Sequence, residues 1–253
     1  LPPKAIAAIQ VSAIALGGSL NTLKPSFDYR RFFRLRARNE DSRSDSPAFG
    51  LRFRANHIVS FGERFDGETL STVDGVPIYN RSFVGGEEQI RGFDLNSIAP
   101  LARIDRFVPS STGEPTLVST EVRPIGGDTE LVFNAEYRYP LVWRLSAAAF
   151  FDIGASINAR RLQREQFVST VPNIPLGTIE VTTVLDPAPG AEFELPKYRY
   201  SFGGELRFPI PVLNIPIRLI FAVNPNAQTN PPAGAFIAPE RRYAFRIGFS
   251  RTL

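Results

Sequence analysis

The side chains of this chain leave little room for covalent chemistry. Cysteine is absent and His57 is the single histidine. Thiolate nucleophiles, thiolate metal sites and disulfide frameworks are excluded, and a histidine-based zinc site lacks ligands. No spacing makes a phosphate loop, a nucleophile elbow or a Ser/His/Asp triad, so no enzyme, cofactor or metal is expected. Charge pairing remains, and the sharpest set is Arg91, Glu136 and Asp152. A guanidinium is a planar fork of donors that suits carboxylates. Glu136 and Asp152 share one face of two consecutive candidate strands joined by a tight turn. Pairing about a turn centred near Leu141 sets Glu136 across from residues near 146, with Asp152 further out. Gly92 lets the backbone beside Arg91 turn without a side-chain clash. From the residues alone two arrangements stay open. Arg91 reaches both carboxylates, or it is a solvated loop residue while the carboxylates pair with Arg138 or Arg144.

Other polar groups also have two readings. Arg30, Arg34, Arg36, Arg38, Arg52 and Arg54 form a basic stripe on one strand face. The stripe either attracts anions or an unfolded chain, or is lining balanced by Glu87, Glu88 and Asp94. Asn39 to Ser46 reads as a solvated turn rather than a cation site. Asn80-Arg81-Ser82 reads as an accidental glycosylation match, and His57 as a packed or interfacial residue. The net charge of +4 is too small to argue for nucleic acid.

These groups need elements to position them. Hydrophobic residues make up 43% and charged residues 21%, too apolar for disorder and too charged for a helical membrane bundle. With 22 Pro, 19 Gly and 21 Phe, composition favours strands and turns. Period-two alternation then marks the strands. Residues 131–139 place Leu131, Phe133, Ala135, Tyr137 and Tyr139 on one parity, against Asn134, Glu136 and Arg138. Similar alternation runs through 26–38 (where Arg31 and Phe32 break it), 48–60, 143–156, 198–208, 215–223 and 243–251. The weaker apolar segment 5–16 brings the count to about eight strands. Phe133, Tyr137, Phe151, Phe202, Leu219 and Phe245 then face one side, and Asn134, Arg138, Arg144, Arg207 and Arg218 the other.

A soluble sandwich alternates too. Three details favour an all-β, antiparallel transmembrane barrel. Tyr137, Tyr139, Trp143, Tyr198, Phe208 and Tyr243 place aromatic rings at strand ends, as an interfacial girdle does. The arginine-rich parity suits a wet lumen. Connections 140–142 and 209–214 are tight, whereas 61–129 and 157–196 are long, which sets short turns on one side and extracellular loops on the other. No segment reaches the roughly 18 apolar residues of a membrane helix, and 5–16 lacks a signal-peptide pattern. Methionine is missing even at position 1, which implies a processed chain or part of a longer one.

Phe83-Val84-Gly85-Gly86, followed by Ile90-Arg91-Gly92-Phe93, resembles the loop signature of BamA-type outer-membrane assembly factors. That superfamily includes TamA-type and two-partner-secretion transporters. Phe151-Asp152-Ile153-Gly154 resembles one of its strand motifs, and Glu136-Tyr137-Arg138-Tyr139-Pro140-Leu141 the strand and turn before it. Phe245-Arg246-Ile247-Gly248 resembles its last strand. The resemblance implies that residues 1–253 form a barrel domain, the second half of a sixteen-stranded barrel whose first half and POTRA domains lie elsewhere. A closed eight-stranded barrel is filled by side chains and could not also hold loop 61–129, so the rival is a short barrel with that loop outside.

The same resemblance implies that Arg91, Gly92 and Phe93 latch the loop to Glu136 and Asp152. Tyr243, Phe245, Ile247, Gly248 and Phe249 would lie on the strand at a weak seam, with Gly248 loosening the packing. The implied function is insertion of β-barrel proteins into the bacterial outer membrane through that seam. Its partners would be the bilayer, unfolded outer-membrane proteins and periplasmic assembly lipoproteins, without nucleic acid. A secretion transporter or channel of the same superfamily is the alternative. The chain departs from the family in its ending, where Ser250-Arg251-Thr252-Leu253 replaces the usual aromatic residue.

Overall fold

Segments that alternate apolar and polar residues need a neighbour on each side to satisfy their backbone groups, and they find it in one large antiparallel sheet. The computed structural model describes residues 4–12, 21–35, 46–61, 72–110, 113–141, 145–173, 177–190, 195, 197–210 and 215–249. The chain opens with β1 (Lys4–Ser12), β2 (Thr22–Arg34), β3 (Ala48–His57) and the short β4 (Val59–Ser60). Next come β5 (Thr72–Val73), β6 (Val76–Pro77), β7 (Leu101–Pro109) and β8 (Pro115–Pro124). The rest is β9 (Thr129–Pro140), β10 (Ser146–Ile157), β11 (Glu165–Asn173), β12 (Gly177–Asp186), β13 (Arg199–Ile210), β14 (Ile215–Val223) and β15 (Tyr243–Phe249).

The large sheet runs β1-β2-β3-β9-β10-β13-β14-β15, every neighbour antiparallel. These are the eight strands that the alternation marks. Among the described residues β1 and β15 do not pair with each other, so the sheet is open, with the strand number and sense of half a sixteen-stranded barrel. Apart from β1, which is exposed on both faces and carries Ile6 and Ile9 on opposite parities, the strands keep their apolar parity on the outer face. Phe133, Tyr137, Phe151, Phe202 and Phe245 are exposed there, and Leu219 is half-buried. From β3 to β15 along this sheet the opposite parity is buried or half-buried. Asn134 and Arg218 are buried, Arg138 and Arg207 are half-buried, and Arg144 lies outside the described residues, as does Trp143.

The long connections are not structureless. The segment 61–129 contributes β7 and β8, and 157–196 contributes β11 and β12, which join as a second antiparallel sheet in the order β11-β12-β7-β8. Val73, Ala102, Ile125 and Leu185 form its dry base, with Ile78, Leu162 and Phe167 against them. A third outer connection reaches this sheet as well. Phe236 N donates to Val122 O at 2.8 Å, and Val122 bridges Ala235.

Three arginines of the basic stripe, Arg30, Arg52 and Arg54, are paired from within their own wall, whereas Arg36 and Arg38 lie outside the described residues. Asp28 of β2 binds Arg30 at 3.0 Å and Arg52 at 2.7 Å, and Glu130 of β9 binds Arg54 at 3.1 Å. Of the loop acids, Asp94 pairs with Arg246, while Glu88 gives its carbonyl to Arg52 and its charge favours Arg30. His57 bonds Thr129 at 2.8 Å through Nδ1. Asn80 offers its carbonyl to Lys24, and its neighbour Arg81 is buried, donating to the carbonyls of Ile125 and Gly126. The run 39–46 lies almost wholly outside the described residues.

Candidate functional site

Residues 84–98 fold as a compact turn seated on the inner face of the sheet. Val84 and Ile98 exchange backbone hydrogen bonds at 3.0 and 2.9 Å, and Ile90 N closes the tip onto Gly86 O at 3.0 Å. Val84, Ile90, Phe93 and Ile98 bury their side chains together with Val132 of β9. This apolar knot fixes the loop to the sheet by excluding water. It also fixes the direction in which Arg91 points.

Arg91 is 2% exposed, Glu136 1% and Asp152 0%. Its Nε and NH2 donate to Asp152 at 2.7 and 2.8 Å, and its NH1 donates to Glu136 at 2.7 Å. Its backbone N–H adds a fourth bond, to Asp152 at 3.1 Å. Burial opposes the cation, but hydrogen bonding and charge from Asp152 and Glu136 outweigh it and raise the pKa beyond the ordinary arginine range. Of the two arrangements left open by the sequence, the structure has the one in which Arg91 reaches both carboxylates, and Glu136 pairs in addition with Arg138 and with Arg207 at 2.7 Å.

The strand register differs from the expected one. Pro140 pairs with Ser146, which shifts the turn centre beyond Leu141 and sets Glu136 across from Phe150, not from residues near 146. Asp152 pairs with Asn134. The shift brings Phe150 beneath the guanidinium, with Cζ 3.8 Å from the ring centroid. Such a stack satisfies the flat face of the cation while its edge serves the carboxylates. Asn134 Nδ2 donates to Asp152 at 2.8 Å and to Gln89 O at 2.7 Å, tying the loop tip to the same carboxylate.

Glu205 of β13 is a further member. It accepts from Arg91 at 3.2 Å, from Arg207 at 2.6 Å and from Arg218 at 2.6 Å. Four guanidiniums thus share three carboxylates on the inner face. Glu205 alternates in phase with Ser201 and Arg207, so the sequence marks its face, but not that Arg91 lies within reach of it.

Gly92 stands at φ +93°, and a Cβ there would lie 2.5 Å from both Ala222 Cβ and Asn224 Oδ1. Asn224 holds the same residue by donating to Gly92 O at 3.0 Å. Only glycine combines this left-handed backbone with so close an approach to β14. Phe93 is buried in the apolar knot. Tyr243, Phe245 and Ile247 lie exposed on the outer face of β15, whose last residue is Phe249. Gly248 faces inward and pairs with Arg218. Instead of a packing gap, its inner side holds the Glu87 carboxylate. Among the described residues no group of acidic or histidine side chains has the arrangement of a metal site.

The family model for the Omp85 superfamily domain matches residues 6–250. The chain belongs to the Omp85 superfamily. Comparison with curated proteins gave no match. Membership sets this Omp85 chain broadly among proteins of outer-membrane protein biogenesis and transport, a superfamily associated with the outer membrane in bacteria. The loop that carries Arg91 and the sheet that receives it both lie within the matched range.

Proposed function

We propose that this chain is part of an insertase that folds β-barrel proteins into the bacterial outer membrane, with β15 as the edge that receives an incoming strand. The observation that carries this reading is the Omp85 match over residues 6–250, within which β15 stands at the edge of the sheet with β14 as its ladder partner among the described residues. Backbone donors and acceptors left unpaired at membrane depth are costly, so such an edge is a template for another strand. A substrate strand would add by main-chain hydrogen bonds, as in β-augmentation, without covalent chemistry. The Arg91 latch would hold the inner face rigid while the edge exchanges partners. The partners in this reading are the lipid bilayer, unfolded outer-membrane proteins and periplasmic assembly lipoproteins. A secretion transporter or channel is the second reading, and the docked loop argues against a permanently open pore because it covers the inner face.

Residues 1–253 contain no cysteine, so engineered cysteines in this domain report on their own positions. Phe245→Cys on β15 and Phe133→Cys on β9 are placed in the full protein and challenged with an unfolded outer-membrane protein carrying one cysteine in its last strand. Crosslinking from position 245 and not from 133, during insertion into vesicles, supports the reading. Equal capture at both positions, or insertion without capture at 245, refutes it.

A further inference from the structure

The tip of the docked loop touches the sheet at two distant strands. Glu88 O accepts from Arg52 of β3 at 2.8 Å. Its neighbour Glu87 lays its carboxylate over Gly248 of β15, so that a Cβ at 248 would stand 2.3 Å from Glu87 Oε2. Strands β9, β10, β13 and β14 lie between β3 and β15 in the sheet. Two consecutive loop residues therefore span a chord across the curve of the wall. A second tie runs to the same strand, where Arg246 NH2 donates to Asp94 Oδ1 at 2.5 Å.

Arg246 and Gly248 occupy the inner parity of β15, the face that the membrane does not hold. The strand is short, and β14 is its one ladder partner among the described residues. Its backbone ladder fixes its register, but a single ladder leaves an edge strand free to bend. The two acidic side chains of the loop meet the strand at alternate residues of that inner face. Gly248 is not required by its backbone, since its φ is not in the left-handed region. What a larger residue would take there is the space of the Glu87 carboxylate.

We propose that Glu87 and Asp94 are positioning residues for the seam strand, bracing the inner face of β15 so that the docked loop sets where the receiving edge stands. The proposal rests on the reading of β15 as the receiving edge. In it, the loop governs the seam through β15 itself and not only through the Arg91 cluster, which touches β9, β10 and β13. Asp94 is 62% exposed, so its ion pair is individually modest. Glu87 adds a half-buried contact over Gly248.

Hydrogen exchange of the full protein tests this. Glu87→Ala, Asp94→Asn and Gly248→Ala are each expected to speed exchange of β15 amides by roughly two- to fivefold, while β9 and β10 keep their protection. Alanine fits an extended strand at 248 but displaces the flexible Glu87 side chain, so it probes the contact and not the backbone. Asp94→Arg combined with Arg246→Asp is expected to restore the slow exchange of β15. Unchanged β15 exchange in both Glu87→Ala and Gly248→Ala overturns the brace, as does equal acceleration in every strand. The insertion assay on the same variants separates the two readings. Faster β15 exchange with an unchanged insertion rate keeps the brace and counts against the insertase, whereas unchanged exchange defeats the brace whatever the insertion rate.

Discussion

Asp152 takes two prongs of the Arg91 guanidinium, at 2.7 and 2.8 Å, and among the described residues no other charged group pairs with it. Glu136 and Glu205 are different. Each keeps other arginines within reach when Arg91 is removed. The loop's hold on the wall is therefore concentrated on one acid of β10.

That asymmetry makes Arg91→Ala expensive through Asp152. A fully buried carboxylate without its cation costs about 3–5 kcal/mol. Adding Asp152→Asn removes the stranded charge, and the double variant is expected to recover part of the loss. Urea unfolding of refolded protein, read as a double-mutant cycle, measures the coupling. Identical stability of Arg91→Ala with and without Asp152→Asn would place the cost elsewhere.

Gly92→Ala is expected to release the loop and leave the sheet. The new methyl would overlap Ala222 and Asn224 at 2.5 Å, at a φ that alanine resists. Limited proteolysis should then cut within residues 84–98 while far-ultraviolet circular dichroism retains its β signal. A loop as protected as in the parent protein would show that β14 can yield at this point.

The outer parity predicts where charge is not tolerated. Phe202→Arg is expected to cost roughly 2–4 kcal/mol in a bilayer near its midplane. Phe202→Leu is expected to stay within about 1.5 kcal/mol, since it keeps the surface apolar. Folding titrations in lipid vesicles compare them. Equal stability of the two variants would mean that Phe202 does not meet lipid.

The wall is legible in the sequence because each of its strands faces two different environments. Phe133, Asn134 and Tyr137 state their faces by type alone. The second sheet is not legible in that way. Leu117 and Val118 of β8 are both exposed, as are Val168 and Val171 of β11, so no apolar stripe sets one face against the other. β7 adds a register shift between Arg106 and Phe107, which breaks its period. At the site, Phe150 is hidden by its neighbour, because in the pair Phe150-Phe151 the outer residue accounts for the pattern. Glu205 lies 114 residues from Arg91, and their meeting depends on β13 following β10 in the wall. The order of strands across a long connection is a tertiary fact that local alternation does not encode. The motif residues Arg91, Glu136 and Asp152 were legible through resemblance, but their register was not, since the turn between β9 and β10 is longer than its Pro140 suggests.

The pairing of β7 with β12 has a mechanical consequence. β7 belongs to the connection that carries Arg91, and β12 to the one that follows β10, yet five residue pairs join them. The bridge from Val122 to Ala235 fastens a third connection to the same sheet. Three outer segments are thus geared together above the wall. A displacement of the Arg91 loop that carried β7 with it would have to shear those pairs or move the other two segments. A load on the β11–β12 hairpin would then pass through β7 into the connection that carries Arg91.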